Sequence, residues 1–357
     1  MEPEYNRPVT MRDVAGRAGV NVSTVSRALR GDPRVSEATL AKVREAADAM
    51  EYRPNPYVQA FTAHVRGYRR MPEHAPVALL NLYDPRNMPS YTRLYAEGVE
   101  AQARLNGFKV DSFKLDGSSR QFDRLLRILQ TRGIQGLVVL PVEKGSVLAG
   151  LEVFPLAMAT IDYTLKFPRL HRATPCYFQN MDLALRRAHC LGYRRMGFFT
   201  FREEVDRISP HWLGSFASWS MLQPPSDQVK VHFSQFNGEF RSGSRAERDW
   251  KQYRRDFLRW VEDERPEVIL SNDTFSLEWL RSAGLDVPGD IGFIHLGLNE
   301  EEPGLSGIDQ NHREIGAAAM DLVLSQIHAN QSGVPAHMKT VLVYGRWVEG
   351  STTRGQD

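Results

Sequence analysis

The stretch Met11 to Arg30, MRDVAGRAGVNVSTVSRALR, constrains the fold most tightly, because its small and apolar positions describe two short helices with a sharp reversal between them. Val14, Ala15 and Ala18 form an apolar stripe on the first helix, and Val25, Ala28 and Leu29 form the matching stripe on the second. Gly19 stands at the reversal, where a residue without Cβ takes positive φ at little cost. Thr10 and Asn21 precede the two helices, where their side-chain oxygens can cap free backbone N–H groups. The second helix keeps Val22, Ser23, Thr24, Ser26, Arg27 and Arg30 outside, a surface of short polar groups and guanidinium suited to a DNA groove. The same spacings also occur in ordinary helical hairpins, and the residues that follow favour DNA.

Asp32 and Pro33 make a turn, and Ser36 caps a third helix running to about Met50. Val35, Leu40, Val43, Ala46, Ala47 and Met50 then close a small three-helix core. Four motifs carry a resemblance: V-T-M-R-D-V-A-G-R-A-G-V from Val9, S-T-V-S-R-A-L from Ser23, D-P-R-V-S from Asp32 and Y-R-P-N from Tyr52. In these the chain resembles the lactose-repressor family of bacterial transcription regulators. The resemblance implies a double-stranded DNA operator as partner, with Val22, Ser23 and Arg27 facing base edges in the major groove. It implies backbone contacts from Thr10, Met11, Asn21, Thr24, Arg30, Thr39, Tyr52 and Asn55. It also implies a hinge from Asn55 to His64 that folds as a short helix on the minor groove beside its partner from a second subunit. Phe61 occupies the wedge position, where the family usually has Leu; both are apolar side chains that unstack base steps. Arg30 replaces a common Asn. Thr10 and Asn21 have the alternative role of capping helices.

With 357 residues, 42% apolar and 25% charged, the chain suits two or three globular domains. No apolar run approaches the roughly 20 residues that span a bilayer, and no signal-peptide h-region is present, so a cytoplasmic protein without a membrane partner is expected. Two cysteines, Cys176 and Cys190, support neither a disulfide framework nor a zinc site and read as packing residues. Residues 1–70 hold 12 Lys and Arg against 8 Asp and Glu, net +4, whereas the remainder holds 33 against 35, net −2. The chain is therefore basic where DNA would lie.

From Pro76 the texture alternates between strand and helix. Val77 to Leu82, Ile134 to Leu140, Leu156 to Ile161, Met196 to Phe201, Val268 to Leu270 and Ile291 to Leu296 are short apolar runs. Helical stretches lie between them, several ended by glycine at Gly107, Gly133, Gly192 and Gly284. This pattern predicts βαβ units with parallel sheets buried on both faces. Pro224 to Arg248 reads as a surface loop or insertion before a charged helix from about Asp249 to Glu262, and Glu300 to Glu302 as a solvated loop.

The family resemblance extends here through C-L-G-Y-R-R-M-G from Cys190, L-S-N-D from Leu270, A-G-L-D-V-P-G-D-I from Ala283 and I-D-Q-N from Ile308. It implies a two-lobed α/β core, like periplasmic binding proteins, with three chain crossings and a small molecule in the cleft. The expected divisions are a helix-turn-helix domain at 1–54, a hinge and linker at 55–75, a core at 76–345 and a tail at 346–357. Within the core, lobe one is expected at 76–163 plus 292–325, and lobe two at 164–291 plus 326–345.

Sugar-binding relatives often place an Arg before the helix that here starts near Trp212, and an Asp at the end of the strand Ile291 to Leu296. This chain has His211 and Trp212 at the first position and Gly297 and Leu298 at the second. Candidate cleft residues are therefore Tyr91, Arg93, Asp162, Gln179, Asn180, His211, Trp212, Asn272 and Asp273. Trp212 could stack on a sugar ring; the carboxylates could instead order loops, Asn180 could cap a helix, and Trp212 could be core. The chain lacks G-x-G-x-x-G, G-x-x-x-x-G-K, H-E-x-x-H and G-x-S-x-G, so it is not read as an enzyme, and no cofactor or metal is expected. The expectation is a homodimeric, DNA-binding repressor controlled by a carbohydrate-like effector. The alternatives are a regulator without an effector and a solute-binding protein.

Overall fold

The computed structural model describes residues 11–29, 35–50, 52, 75–83, 89–115, 119–142, 146–208, 210–234, 244–300 and 303–355. The chain divides into two compact units, 1–70 and 71–357.

In the first unit, α1 (Met11–Ala18), α2 (Val22–Ala28) and α3 (Glu37–Ala49) enclose a core of Val14, Ala15, Val25, Ala28, Val43, Ala46 and Ala47. Gly19 has φ +65°, and the Val20 N–H then reaches back to the Ala15 carbonyl at 3.1 Å. That six-to-one bond closes α1 and turns the chain into α2. Ser36 caps α3 by accepting from the Thr39 N–H at 3.4 Å. Asn21 stands at the α2 N-cap, but its side chain makes no capping bond; the cap expectation is corrected, and only its carbonyl serves, accepting from Thr24 and Val25.

The second unit contains two six-stranded sheets. The first is built from β1 (Ala75–Asn81), β2 (Phe108–Lys114), β3 (Gly136–Val139), β5 (Ala157–Ile161), β7 (His171–Pro175) and β13 (Thr340–Val343), in the order β13-β7-β5-β3-β1-β2. All its pairs are parallel. Strand residues alternate between faces: Val77 and Leu79 pack with α4 (Ser90–Leu105) and α11 (His312–His328), while Ala78 and Leu80 pack on the side of α5 (Ser119–Thr131). The short pair β4 (Ser146–Val147) and β6 (Leu165–Phe167) lies apart.

The second sheet contains β8 (Met196–Phe201), β9 (His232–Ser234), β10 (Val268–Ser271), β11 (Gly292–Leu298), β12 (Gly307–Asp309) and β14 (Arg346–Val348), in the order β14-β12-β11-β10-β8-β9. Only β14 is antiparallel. Val268 and Leu270 face α6 (Tyr177–Cys190) and α8 (His211–Met221), whereas Ile269 faces α9 (Ser244–Glu264) and α10 (Phe275–Ser282). The short α7 (Arg202–Ile208) follows β8.

Sheet membership corrects the expected lobe boundaries. Residues 171–175 and 340–343 belong to the first sheet, and 292–298 to the second, where Val268 pairs with Gly292. The expected tail is also part of the second lobe: Trp347 pairs with Ile308, the Phe293 N–H donates to the Thr352 carbonyl at 2.7 Å, and Thr352 and Thr353 are buried. An apolar run reveals a strand but not its neighbour, so the expected crossings fell too early along the chain. The observed crossings lie at 175–177, 309–312 and 343–346.

These crossings are tied to one another. The Cys176 N–H donates to the Val343 carbonyl at 2.8 Å, the Gly345 N–H to Asn180 Oδ1 at 2.8 Å, and Asn311 Nδ2 to the Tyr344 carbonyl at 2.7 Å. Cys176 is buried, as expected of a packing residue; Cys190 is exposed at the end of α6, which corrects that expectation for it. Among the described residues no helix is long and apolar enough to cross a membrane.

Two glycines let α4 and α11 touch. A Cβ on Gly98 would collide with the Arg313 carbonyl, and one on Gly316 with the Tyr95 carbonyl, both backbone atoms that cannot swing away. Gly316→Ala should therefore lower stability by about 1–3 kcal/mol through overpacking, against little change for Ala at the unobstructed Gly214, as measured by urea denaturation.

Candidate DNA-reading head and inter-lobe site

Val22 and Arg27 are exposed on α2, Val22 at 41%, although its side chain is apolar. Thr24 is half-buried between them. Ser23 lies on the same helix, but its side chain is outside the described atoms, and Thr10, Arg30, Asn55 and Phe61 lie outside the described residues. Three expected phosphate contacts also have structural duties. Met11 and Tyr52 pack against the head core, burial pushes the Tyr52 hydroxyl pKa up, and Thr39 Oγ1 bonds Ser36 Oγ at 2.8 Å. Asn21 is exposed at the turn.

The nine cleft candidates separate into groups. Asp162 follows β5 with φ +67°, a left-handed conformation that Asp tolerates better than most residues. Its buried carboxylate accepts the Tyr163 N–H at 2.7 Å and the Tyr177 hydroxyl at 3.0 Å. That second bond joins the end of a first-lobe strand to the start of α6 in the second lobe. His211, at the start of α8, meets the Tyr163 ring at 4.7 Å and stacks on Tyr177 at 6.5 Å. Burial lowers the His211 pKa against the opposing pull of Asp162, so its imidazole is held toward neutrality. Trp212 is core: it is 5% exposed and meets Tyr177 edge-on at 4.9 Å, with no partner for Nε1 among the described residues. An open stacking platform is thus the wrong picture of Trp212.

The other candidates have different surroundings. Asn180 holds the third crossing at Gly345 and Gln179 is exposed. Asn272 Nδ2 donates to Glu204 at 3.2 Å. Asp273 caps α10, accepting from the Ser276 N–H at 3.0 Å and from Ser271 Oγ at 2.6 Å; burial raises its pKa while these bonds oppose the rise. Arg93 is exposed and pairs with Glu97 at 2.6 Å. Tyr91 stacks on His312 at 5.5 Å. Gly297 leaves room for its neighbour: a Cβ would meet Gln310 Nε2 at 3.0 Å, and that amide donates to the Leu296 carbonyl at 2.7 Å.

A cavity of about 410 Å³ opens beside the second crossing, lined by Leu94, Leu298, Glu300, His312, Arg313 and Arg346 among others, and by none of the nine candidates. Arg313 spans its rim, gripping Glu97 at 2.7 Å in the first lobe and Glu300 at 2.5 Å on the loop after β11. Glu300 is exposed, in keeping with a solvated loop, and it is also ion-paired. Sequence reasoning missed Tyr163, Arg172, Tyr177, His295 and His312. Tyr163 was within reach as the neighbour of Asp162 at a strand end; the others sit in strands or helix starts where no periodicity distinguishes them.

Residues 10–55 match the family described as bacterial regulatory proteins, lacI family, and residues 185–353 match a periplasmic binding protein-like domain. The chain carries a lacI-family regulatory domain ahead of a periplasmic binding protein-like domain. It is a DNA-binding transcription regulator. Several relatives that it matches along nearly their whole length are named transcriptional regulators or repressors. It is 26% identical over 340 residues to the HTH-type transcriptional repressor CytR of Escherichia coli K12, covering 91% of each chain. It is 22% identical over 348 residues to the HTH-type transcriptional regulator KdgR of Bacillus subtilis 168, covering 94% of this chain and 96% of that one. In fold it is similar to a lac repressor dimer bound to operator and the anti-inducer ONPF, with TM-score 0.58, 18% identity, and coverage of 98% and 100%. A CelR-cellobiose complex gives TM-score 0.57 at 18% identity, with coverage of 96% and 99%.

Burial lowers the pKa of His295 and of His312 from 6.5 to about 4. Unfolded, each takes its proton near 6.5; folded, only near 4. Both therefore favour the folded state above pH 6.5, and that contribution is lost as pH falls from 6.5 through about 4. The denaturant midpoint should drop over this interval, and His312→Phe, which keeps an aromatic ring against Tyr91, should make the drop shallower.

Proposed function

We propose that this regulator is a cytoplasmic repressor that binds an imperfectly palindromic operator as a homodimer and is controlled by a small carbohydrate-like molecule between its lobes. The supporting observation is the bond between Tyr177 and Asp162 at 3.0 Å, with His211 against Tyr163, because it joins the two lobes through residues at strand and helix ends. A ligand that rearranges this cluster changes the angle between the lobes, the kind of hinge motion that two-lobed binding folds use.

On DNA, Arg27 offers the fork that takes guanine O6 and N7, Val22 an apolar surface for a thymine methyl, and Ser23 a hydroxyl for either base. Thr10, Met11, Asn21, Thr24, Arg30, Thr39, Tyr52 and Asn55 serve the phosphates and set register. Phe61 from each subunit wedges the central base step. Two heads and two wedges on a two-fold axis match a palindromic site. Relatives named repressors, and the dimer, operator and cellobiose named with the similar structures, support the reading of a dimeric repressor with a carbohydrate-like effector.

Fragments selected from the host genome by the full-length protein should contain an inverted repeat. Arg27→Ala should relax base preference at one position of each half-site, costing about 1–3 kcal/mol of discrimination there. Phe61→Ala should weaken specific binding and bending while sparing salt-dependent nonspecific binding. Unchanged bending with Phe61→Ala would remove the wedge, and a bound set without an inverted repeat would remove the dimeric reading.

A further inference from the structure

We propose that the effector carries an oxyanion, a carboxylate or a phosphate, and that Arg172 is the residue that receives it; this rests on the reading of a ligand-controlled inter-lobe cluster. Arg172 lies on β7 and is 7% exposed. Among the described residues no carboxylate pairs with it. One Nη approaches the Met338 thioether at 3.5 Å, the guanidinium lies 5.0 Å from the centre of the Tyr163 ring, and Nε has no acceptor among the described residues. A guanidinium removed from water demands a counter-charge and hydrogen-bond acceptors, and a thioether with a ring face supplies neither in full.

The surroundings sharpen the chemistry. Arg169 and Asp162 act on Arg172 with opposite signs, but the Asp162 carboxylate is engaged by the Tyr163 N–H and the Tyr177 hydroxyl. Lys339, next to Met338, donates its backbone N–H to His171 Nδ1 at 3.0 Å, and its charge acts on His171. Tyr163 covers one face of Arg172 and meets His211 of the other lobe. An oxyanion on the Nε and Nη edge would thus form the bidentate pair that arginine geometry favours, displace the exposed, unbranched Met338, and press on the ring that joins the lobes. Asp273 and Arg93 are committed to internal bonds, so neither adds a second charged partner for a ligand there.

The test uses full-length protein, thermal denaturation and titration with gluconate, glucose 6-phosphate and neutral glucose, each at low and high sodium chloride. Gluconate or glucose 6-phosphate should raise Tm and weaken operator binding, with an affinity that falls as salt rises; the arm that responds tells carboxylate from phosphate. Arg172→Gln should lose about tenfold or more of that affinity, with Arg172→Lys intermediate. Should Arg172→Gln fail to fold, the salt dependence in the unaltered protein decides, since an affinity independent of salt overturns the proposal. Equal shifts from glucose, or Arg172→Gln binding as tightly as the parent, also overturn it while leaving a ligand-controlled cleft standing. No shift from any of the three probes overturns both.

Discussion

The two sheets are held in one molecule by three passages of backbone, and the hydrogen bonds among those passages are the constraint on which the core depends. Cys176 reaches Val343, Asn180 reaches Gly345, and Asn311 reaches Tyr344, so each crossing is registered against the last one. The C-terminal segment therefore completes both lobes: β13 extends the first sheet beside β7, and β14 with Thr352 closes the second. Because buried backbone groups must find partners, sliding one passage would orphan the polar groups of the others. The lobes can turn about this bundle but cannot slip along it.

Around it lie two different inter-lobe contacts. On one side, Asp162, Tyr163, Tyr177 and His211 meet through one hydrogen bond and faces of aromatic rings, with Arg172 behind. On the other, Arg313 joins Glu97 and Glu300 in an exposed, salt-screened network. The first contact is short-ranged and partly buried. The second yields readily as the lobes turn.

Much of the fold was legible because its elements carry local signals. The reading head was written in Gly19, in the stripes on α1 and α2 and in the Ser36 cap, all of which act within a few residues. Several core strands showed as near-continuous apolar runs because a parallel sheet covered on both faces buries both sets of strand side chains. The cleft was far less legible. Asp273 and Asn180 looked like ligand-binding groups by type and position, yet one caps α10 and the other grips the third crossing. Whether a polar side chain is free depends on what long-range packing brings beside it.

The sequence by itself determined the helix-turn-helix head, the alternation of strands and helices, and the resemblance to a regulator family, because each rests on neighbours in the chain and on ordered motifs. Only the tertiary structure decided which sheet each strand joins, where the chain crosses, that Trp212 is core, and that Arg172 is buried with no paired carboxylate among the described residues. Those outcomes depend on pairs as distant as Arg172 with Met338 and Asn180 with Gly345, whose proximity no local pattern encodes.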